Sequence, residues 1–300
     1  MAVLVIGKNG QLGTEIRVRA QTSGVEVIAV GLPGFDITKG VVIEEVVSRA
    51  DVSHVINVSG YTAVDTAEKE RETAFRVNGD GPRMLAESCS RYKKKLIHLS
   101  TDFVFNGNKE TPYTEEDPTI PINIYGKSKL EGEIGVRENL REHVIVRTAW
   151  LFGVHGDNFV KTMLRLAMEK EEVGVVADQY GCPTYTGYLA EALLRIVECM
   201  KKNINFPWGT YHFCGAGVTS WFDFAEEIFR EAKKRMPLKV NTVRPLTSEQ
   251  YPTLARRPKN SALDCSLMRK ELQISTREWG GALSEVVRIL CGSVSVEGGA

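Results

Sequence analysis

The chain has 300 residues, 38 basic against 38 acidic side chains and 43% hydrophobic residues, the profile of a folded globular protein with room for a sizeable core. A formal net charge of zero speaks against a nucleic-acid partner, because such binders carry a basic excess or a basic face. No uncharged apolar stretch approaches the ~18 residues of a membrane helix, so no membrane partner is expected.

In chain order, residues 2–7 form an apolar, β-branched run ending in glycine, which predicts a strand covered on both faces. Residues 11–20 then place Leu12, Ile16 and Ala20 four apart, with Glu15, Arg17 and Arg19 on the other faces, an amphipathic helix on which Glu15 is expected to be an exposed charge. Apolar runs recur at 25–30, 54–58, 95–99 and 143–147, separated by helical segments, which predicts a parallel sheet built from right-handed crossovers. After Trp150 the rhythm loosens, with helices expected at 159–170, 188–202 and 221–235. The last has Thr219 and Ser220 as N-cap candidates and Phe224, Ile228 and Phe229 on one stripe. Residues 245–258 are rich in proline, arginine and polar groups. The tail from Gly292 to Ala300 is small and polar, and is expected to be disordered.

The cysteines, Cys89, Cys182, Cys199, Cys214, Cys265 and Cys291, show no CxxC pairing, so neither a zinc site nor a disulfide framework is expected. With no signal-like N-terminus, the expected location is the cytoplasm.

The first strand leads into Gly7-Lys8-Asn9-Gly10-Gln11-Leu12-Gly13, a GxxGxxG loop at a strand-to-helix junction. Glycines there permit a tight turn and close backbone approach, and the free N–H groups of the helix start attract a pyrophosphate. The expected cofactor is therefore a dinucleotide. The second strand ends Val30-Gly31-Leu32-Pro33, with no carboxylate for an adenine ribose hydroxyl, which favours NADPH over NADH with help from Lys8 or Arg17. Asp36 and Ile37 could flank the adenine, although an Asp before Thr38 is also a common turn signal.

Tyr125 and Lys129 stand four residues apart on an expected helix and share one face. A lysine ammonium beside a phenol would lower the tyrosine pKa and fit it for proton transfer. Ser100-Thr101-Asp102 ends the fourth strand, at the sheet edge where open α/β folds place ligands.

Together these residues resemble the extended short-chain dehydrogenase/reductase superfamily and, within it, the dTDP-4-dehydrorhamnose reductases. The resemblance also rests on Tyr61-Thr62-Ala63-Val64-Asp65, Arg147-Thr148-Ala149-Trp150, Asp178 to Thr184, and Ala255-Arg256-Arg257-Pro258. It implies an α/β fold: a Rossmann-like, doubly wound parallel sheet over residues 1–150, completed by segments near 175–213. A smaller C-terminal α/β substrate lobe would cover most of 151–300, ending in the disordered tail near 292–300. Gly7, Gly10, Gln11, Leu12 and Gly13 would hold the pyrophosphate, Asp36 and Ile37 the adenine side, and Gly60, Tyr61 and Thr62 the cofactor after the third strand. Tyr125 would be the general acid, with Lys129 on the nicotinamide ribose and Thr101 positioning the carbonyl. Val64, Thr101, Asp102, Tyr125 and Trp150 would contact a nucleotide sugar, and Arg256 and Arg257 its diphosphate.

The implied reaction is NAD(P)H-dependent reduction of the C4 keto group of dTDP-4-dehydro-L-rhamnose. Other nucleotide-sugar reductases or epimerases are the alternative, as is a non-catalytic NADP-binding subunit resembling the β subunit of methionine adenosyltransferase. Some family members are dimers with interface magnesium. Glu15 matches one such ligand, but Gly187 stands where another glutamate would be, so neither magnesium nor another metal is expected, and a homodimer is left open.

Overall fold

The computed structural model describes residues 1–297, with side chains described through Gly292. β1 (Ala2–Ile6) is followed by α1 (Gln11–Ser23), β2 (Val27–Val30), α2 (Gly40–Val47) and β3 (Val52–Asn57). Two short helices, α3 (Val64–Ala67) and α4 (Arg71–Phe75), lead through a π-helical turn at Arg76–Asp80 into α5 (Gly81–Arg91). Next come β4 (Lys95–Thr101), α6 (Ile124–Asn139) and β5 (His143–Thr148). The chain then runs through β6 (Leu151–Phe152), α7 (Phe159–Glu169), β7 (Glu172–Val176), β8 (Tyr180–Gly181), β9 (Thr184–Tyr185) and α8 (Thr186–Lys202). It ends with β10 (Gly209–His212), β11 (Thr219–Ser220), α9 (Trp221–Lys233), β12 (Thr242–Leu246), α10 (Ser266–Leu272) and α11 (Trp279–Glu297).

The central sheet has the order β10-β5-β4-β3-β1-β2, every pair parallel. Its period of two sorts β1 between two helix layers. Val3 and Val5 pack with Leu12 and Ile16 of α1 and Leu189 and Leu193 of α8, whereas Leu4 and Ile6 pack with Ile43 of α2, Leu85 of α5 and Val136 of α6. Each such fully buried side chain contributes roughly 1.5–3 kcal/mol, so a one-residue slip of β1 would exchange both sets at once. Because β1 lies between β2 and β3, successive crossovers leave it in opposite directions. The crevice beyond the carboxyl ends of β1 and β3 is where an α/β sheet of this kind takes its ligand.

A second apolar cluster joins Phe152, Val160 and Met163 to Phe224, Ile228, Leu283 and Val286. Here α9 begins as expected, the Ser220 hydroxyl accepting the Asp223 N–H at 3.0 Å. α11 was not foreseen. Its buried Ala282, Leu283, Val286, Val287 and Cys291 recur at helical spacing and join the cluster that includes α9, so the tail expected to be disordered from Gly292 instead begins inside a helix whose backbone runs to Glu297. Residues 298–300 of that tail lie outside the described residues. Among the described residues no helix is long and apolar enough to cross a membrane.

Candidate active site

Close packing dictates the turn after β1. Gly7 takes φ 105, in the region L side chains avoid, and a Cβ on Gly13 would lie 2.0 Å from the Gly7 carbonyl oxygen. α1 can therefore seat against the turn only with glycine at both places. Gly10 starts the helix without a side-chain cap, leaving the first-turn N–H groups and the positive helix end open to an anion. Beside them the Gln11 Oε1 atom is buried without a hydrogen-bond partner, an acceptor left for a ligand. Leu12 is buried in the core, so only its backbone can serve that role.

At the end of β2, the Lys8 side chain lies over Gly31, with Cγ 3.3 Å from where a Cβ would be. Asn9 Nδ2 donates to the Leu32 carbonyl at 2.7 Å. Asp36 accepts the Thr38 N–H at 3.0 Å and hydroxyl at 2.8 Å, and the backbone bond above all holds its carboxyl below the usual range. Ile37 is buried against Gly81. The pair thus forms the turn that the residue before Thr38 suggested, with the isoleucine side chain in the core.

After β3, the loop carrying Gly60, Tyr61 and Thr62 is fastened by Asn78, a buried residue of the π-helical turn that sequence reasoning missed. Asn78 Oδ1 accepts the Tyr61 N–H at 2.8 Å, and its Nδ2 donates to the Tyr61 carbonyl and to Ser128 Oγ, each at 3.0 Å. One side chain thereby registers the loop after β3 against the helix that carries Tyr125.

β4 delivers Thr101, whose hydroxyl donates to Asp102 Oδ1 at 2.9 Å and accepts the Phe103 N–H at 3.2 Å. Across from it α6 is capped twice: Asn123 Oδ1 accepts the Gly126 N–H at 2.8 Å, and Glu68 Oε1 accepts the Ile124 N–H at 2.9 Å. A Cβ on Gly126 would lie 2.1 Å from the Phe103 carbonyl oxygen, so glycine lets the helix close on the strand end. Tyr125 meets Phe103 edge-on, ring centroids 5.6 Å apart. One turn later Lys129 donates its ammonium to the Leu99 carbonyl at 2.6 Å.

Burial pushes the Tyr125 phenol up to about 12; the Thr101 hydroxyl pulls the other way and the Asp102 charge adds to the rise. This corrects the expectation of a lowered phenol: the Lys129 ammonium is bound to a strand carbonyl rather than to the tyrosine oxygen. Lys129 is itself lowered to about 8 by burial, against the opposing charge of Glu133. Asp102 is raised by burial to about 6, although the Ser261 and Thr101 hydroxyls oppose the rise, and its buried Oδ2 has no hydrogen-bond partner of normal geometry.

Beneath this row, Glu133 is fully buried and receives Arg147 Nε at 2.9 Å and Nη2 at 2.7 Å, together with the Ser100 hydroxyl at 2.5 Å. Burial alone would raise the Glu133 carboxyl, but the Arg147 bonds hold it below its ordinary value. The pair anchors α6 to the ends of β4 and β5.

Beside Phe103 opens a cavity of about 400 Å³, within the size range of small-molecule sites. Its walls include Trp150, Trp221, Phe159, Gln179, Asp65 and Arg257. Trp150 stands at φ 47 and stacks on Trp221, with centroids 3.5 Å apart and planes at 7°. Trp221, which sequence reasoning treated only as a helix start, shares the wall. Val64 lies half-buried just before Asp65. Arg256 is exposed, its carbonyl accepting Asn123 Nδ2 at 2.8 Å. Arg257 donates from Nη1 at 3.1 Å and Nη2 at 2.6 Å to Asp65, which also accepts the Ala255 N–H at 3.0 Å. The arginine fork expected at a diphosphate is thus engaged by a carboxylate that lines the same cavity.

Glu15 also departs from expectation: it is 4% exposed. Arg19 explains the burial, donating Nε to Glu15 at 2.9 Å while Nη1 reaches Glu191 at 2.6 Å and Nη2 the Tyr185 hydroxyl at 3.2 Å.

A glycine-lined turn at the switch point of a doubly wound sheet, with a tyrosine and lysine one turn apart beside a Ser-Thr strand end, defines the class as an open α/β fold with a nucleotide-type crevice at the carboxyl ends of its strands. A family model described as the RmlD substrate binding domain matches residues 1–291, and the chain belongs to that family. It is 40% identical over 286 residues to a dTDP-4-dehydrorhamnose reductase of Aggregatibacter actinomycetemcomitans, covering 95% of this chain and 97% of that one. Among solved structures it resembles a dTDP-4-dehydrorhamnose reductase from Clostridium acetobutylicum, with TM-score 0.90, 38% identity, and coverage of 97% and 99% of the two chains. A second such reductase, from Bacillus anthracis and in complex with NADP, has TM-score 0.88 and 37% identity, with 96% and 100% covered.

Proposed function

We propose that this chain uses NADPH to reduce the C4 keto group of dTDP-4-dehydro-L-rhamnose, giving dTDP-L-rhamnose, in the cytoplasm. The observation that carries the reading is the meeting of Thr101, Tyr125 and Lys129 at the carboxyl end of β4, beside an uncapped helix N-terminus and an apolar cleft. Residues 1–150, with α8 and β10, form the nucleotide-binding lobe in this reading, and most of 151–297 the substrate lobe.

The cofactor, when bound, supplies the hydride. Gln11, Leu12 and Gly13 would hold its pyrophosphate through backbone N–H groups, with Gly10, whose own N–H is bonded to the Gly7 carbonyl at 3.1 Å, allowing its close approach, and the loop of Gly60, Tyr61 and Thr62 would flank it. Gly31 sets no negative charge against a ribose 2′-phosphate, and Lys8 lies across that position, which supports NADPH over NADH. Thr101 orients the keto oxygen. Tyr125, a phenol protonated at neutral pH and held further from ionisation by burial, gives its proton to the oxygen as charge develops there. Lys129 holds a positive charge beneath the reacting centre, and the Trp150–Trp221 stack offers an apolar wall to the sugar nucleotide.

The test is consumption of NADPH with dTDP-4-dehydro-L-rhamnose against other 4-keto nucleotide sugars. Only the rhamnose precursor should give efficient turnover, and Tyr125→Phe should lower kcat roughly 10²–10⁴-fold with NADPH affinity unchanged. Turnover in Tyr125→Phe near that of the native chain would refute the assignment, as would NADPH binding without reduction of any keto sugar.

A further inference from the structure

Three of the cysteines that seemed scattered in the sequence converge behind the cleft. Cys214, just beyond β10, has its sulfur 3.5 Å from that of Cys265, at the start of α10, and its N–H donates to Cys265 Sγ at 3.3 Å. The Cys214 thiol also faces the Leu263 carbonyl at 3.5 Å, and Cys182, between β8 and β9, completes the apolar cluster. All three are free thiols. Among the described residues no group of His, Cys, Asp or Glu is placed to hold a metal ion, so the cluster is not a metal site.

Access separates their roles. Cys182 and Cys214 are buried, whereas Cys265 is half-buried and opens on a separate cavity of about 150 Å³ lined also by Ser266, Arg269, Ser275 and Thr276. That mouth holds one arginine and three hydroxyl-bearing side chains and leaves the Cys265 sulfur, unlike those of Cys182 and Cys214, within reach of a small polar oxidant. A disulfide needs an S–S distance of about 2.05 Å, so the two sulfurs must approach by roughly 1.5 Å, a movement within reach of side-chain rotation.

We infer that Cys265 and Cys214 form a peroxide-responsive dithiol. The Cys265 sulfur attacks a hydroperoxide oxygen: an S–O bond forms, the O–O bond breaks, and the leaving oxygen departs as water or alcohol with the proton that the Cys265 thiol gives up. Cys265 is then a sulfenic acid. The Cys214 sulfur attacks it, forming the S–S bond and breaking the S–O bond, and the departing hydroxide leaves as water with the Cys214 proton. The two thiols lose two electrons and two protons in all, and the peroxide takes them. Arg257, Pro258 and Ser261, which line the cleft, belong to the segment that ends at Cys265, so the new bond ties the far end of that segment to the edge of the sheet.

The experiment treats the purified chain with hydrogen peroxide, then counts free thiols and maps disulfides by mass spectrometry. Two of the six thiols should be lost, with a Cys214–Cys265 bond reversible by dithiothreitol. In Cys214→Ser a dimedone adduct should appear on Cys265, and in Cys265→Ser the disulfide should be absent while the chain keeps its native melting behaviour. The inference is overturned if all six thiols survive peroxide at concentrations that oxidise free cysteine, if the disulfide joins another pair, or if the adduct in Cys214→Ser falls on a different cysteine.

Discussion

Asp102 offers a direct trade between stability and function. Its carboxyl is buried and lies at about 6 instead of its ordinary 3.8. Between about pH 4 and about pH 6 the native chain therefore keeps a proton that the unfolded chain releases, so stability falls as pH rises through that window and stays lower above it. At ~1.4 kcal/mol per pH unit the loss is at most about 3 kcal/mol. Asp102→Asn cannot ionise and escapes that loss, but its amide nitrogen would replace an Oδ2 that has no partner, at a cost of about 1–2 kcal/mol. The expected net gain at pH 8 is about 1–2 kcal/mol, or roughly 2–6 °C in Tm for a chain of this size, turning into a small loss near about pH 4. Thermal unfolding of both proteins at the two pH values measures this, alongside turnover, which should fall if Asp102 contacts substrate. Equal Tm shifts at both pH values, or a less stable variant at pH 8, would show that the buried charge is not the source of strain.

Other consequences follow from the same geometry. Because burial brings Lys129 to about 8, kcat/KM should decline as pH rises through about 8, and Lys129→Met should remove that limb while lowering turnover; a native profile flat to about pH 10 would count against the role of its charge. Arg147→Met leaves the fully buried Glu133 without its main partner and should destabilise the chain by about 3–5 kcal/mol in urea unfolding, most of it recovered when Glu133→Gln is added. Asp65→Asn keeps an acceptor for Ala255 N–H but weakens the hold on Arg257, so the KM for the nucleotide sugar should fall several-fold if Arg257 meets its diphosphate, whereas an unchanged KM would make Arg257 a fastener of the 253–257 segment.

The sheet was legible because its strands are short apolar runs with glycine or polar residues at their ends. The strands expected at 2–7, 95–99 and 143–147 appear as β1, β4 and β5 within a residue or two at each end. α11 escaped because Gly280 and Gly281 stand in its first turn and read as a loop, while the stripe that holds it is satisfied only by residues of the cluster around α9. Tyr125 and Lys129 could be found from spacing, but not their charge states. Those depend on burial and on the Leu99 carbonyl, which takes the ammonium away from the phenol. The Asp65 to Arg257 pair spans 192 residues and had no local signal. Glu15 carried one that was passed over, since Arg19 stands at i+4, where an ion pair can let a carboxylate be buried.

The balance of 38 against 38 charges becomes informative once the cations are traced. Arg147 is taken up by Glu133, Arg257 by Asp65, and Arg19 by Glu15 and Glu191. Side-chain charge near the proposed site is therefore largely cancelled within the protein, and a pyrophosphate there would be met chiefly by the N–H groups of α1, with Lys8, Lys129 and Arg256 outside any ion pair among the described residues. Fixed backbone dipoles need no reorganisation when a ligand arrives, whereas an arginine held by a carboxylate must first give up that partner. In the proposed reading a neutral chain meets an anionic cofactor with a helix end rather than by accumulating positive side chains, and Tyr125 fits the same pattern: burial is the main influence on its phenol, with the Asp102 charge adding to the rise and the Thr101 hydroxyl opposing it, so the proton it would give to the keto oxygen stays in place until charge develops there.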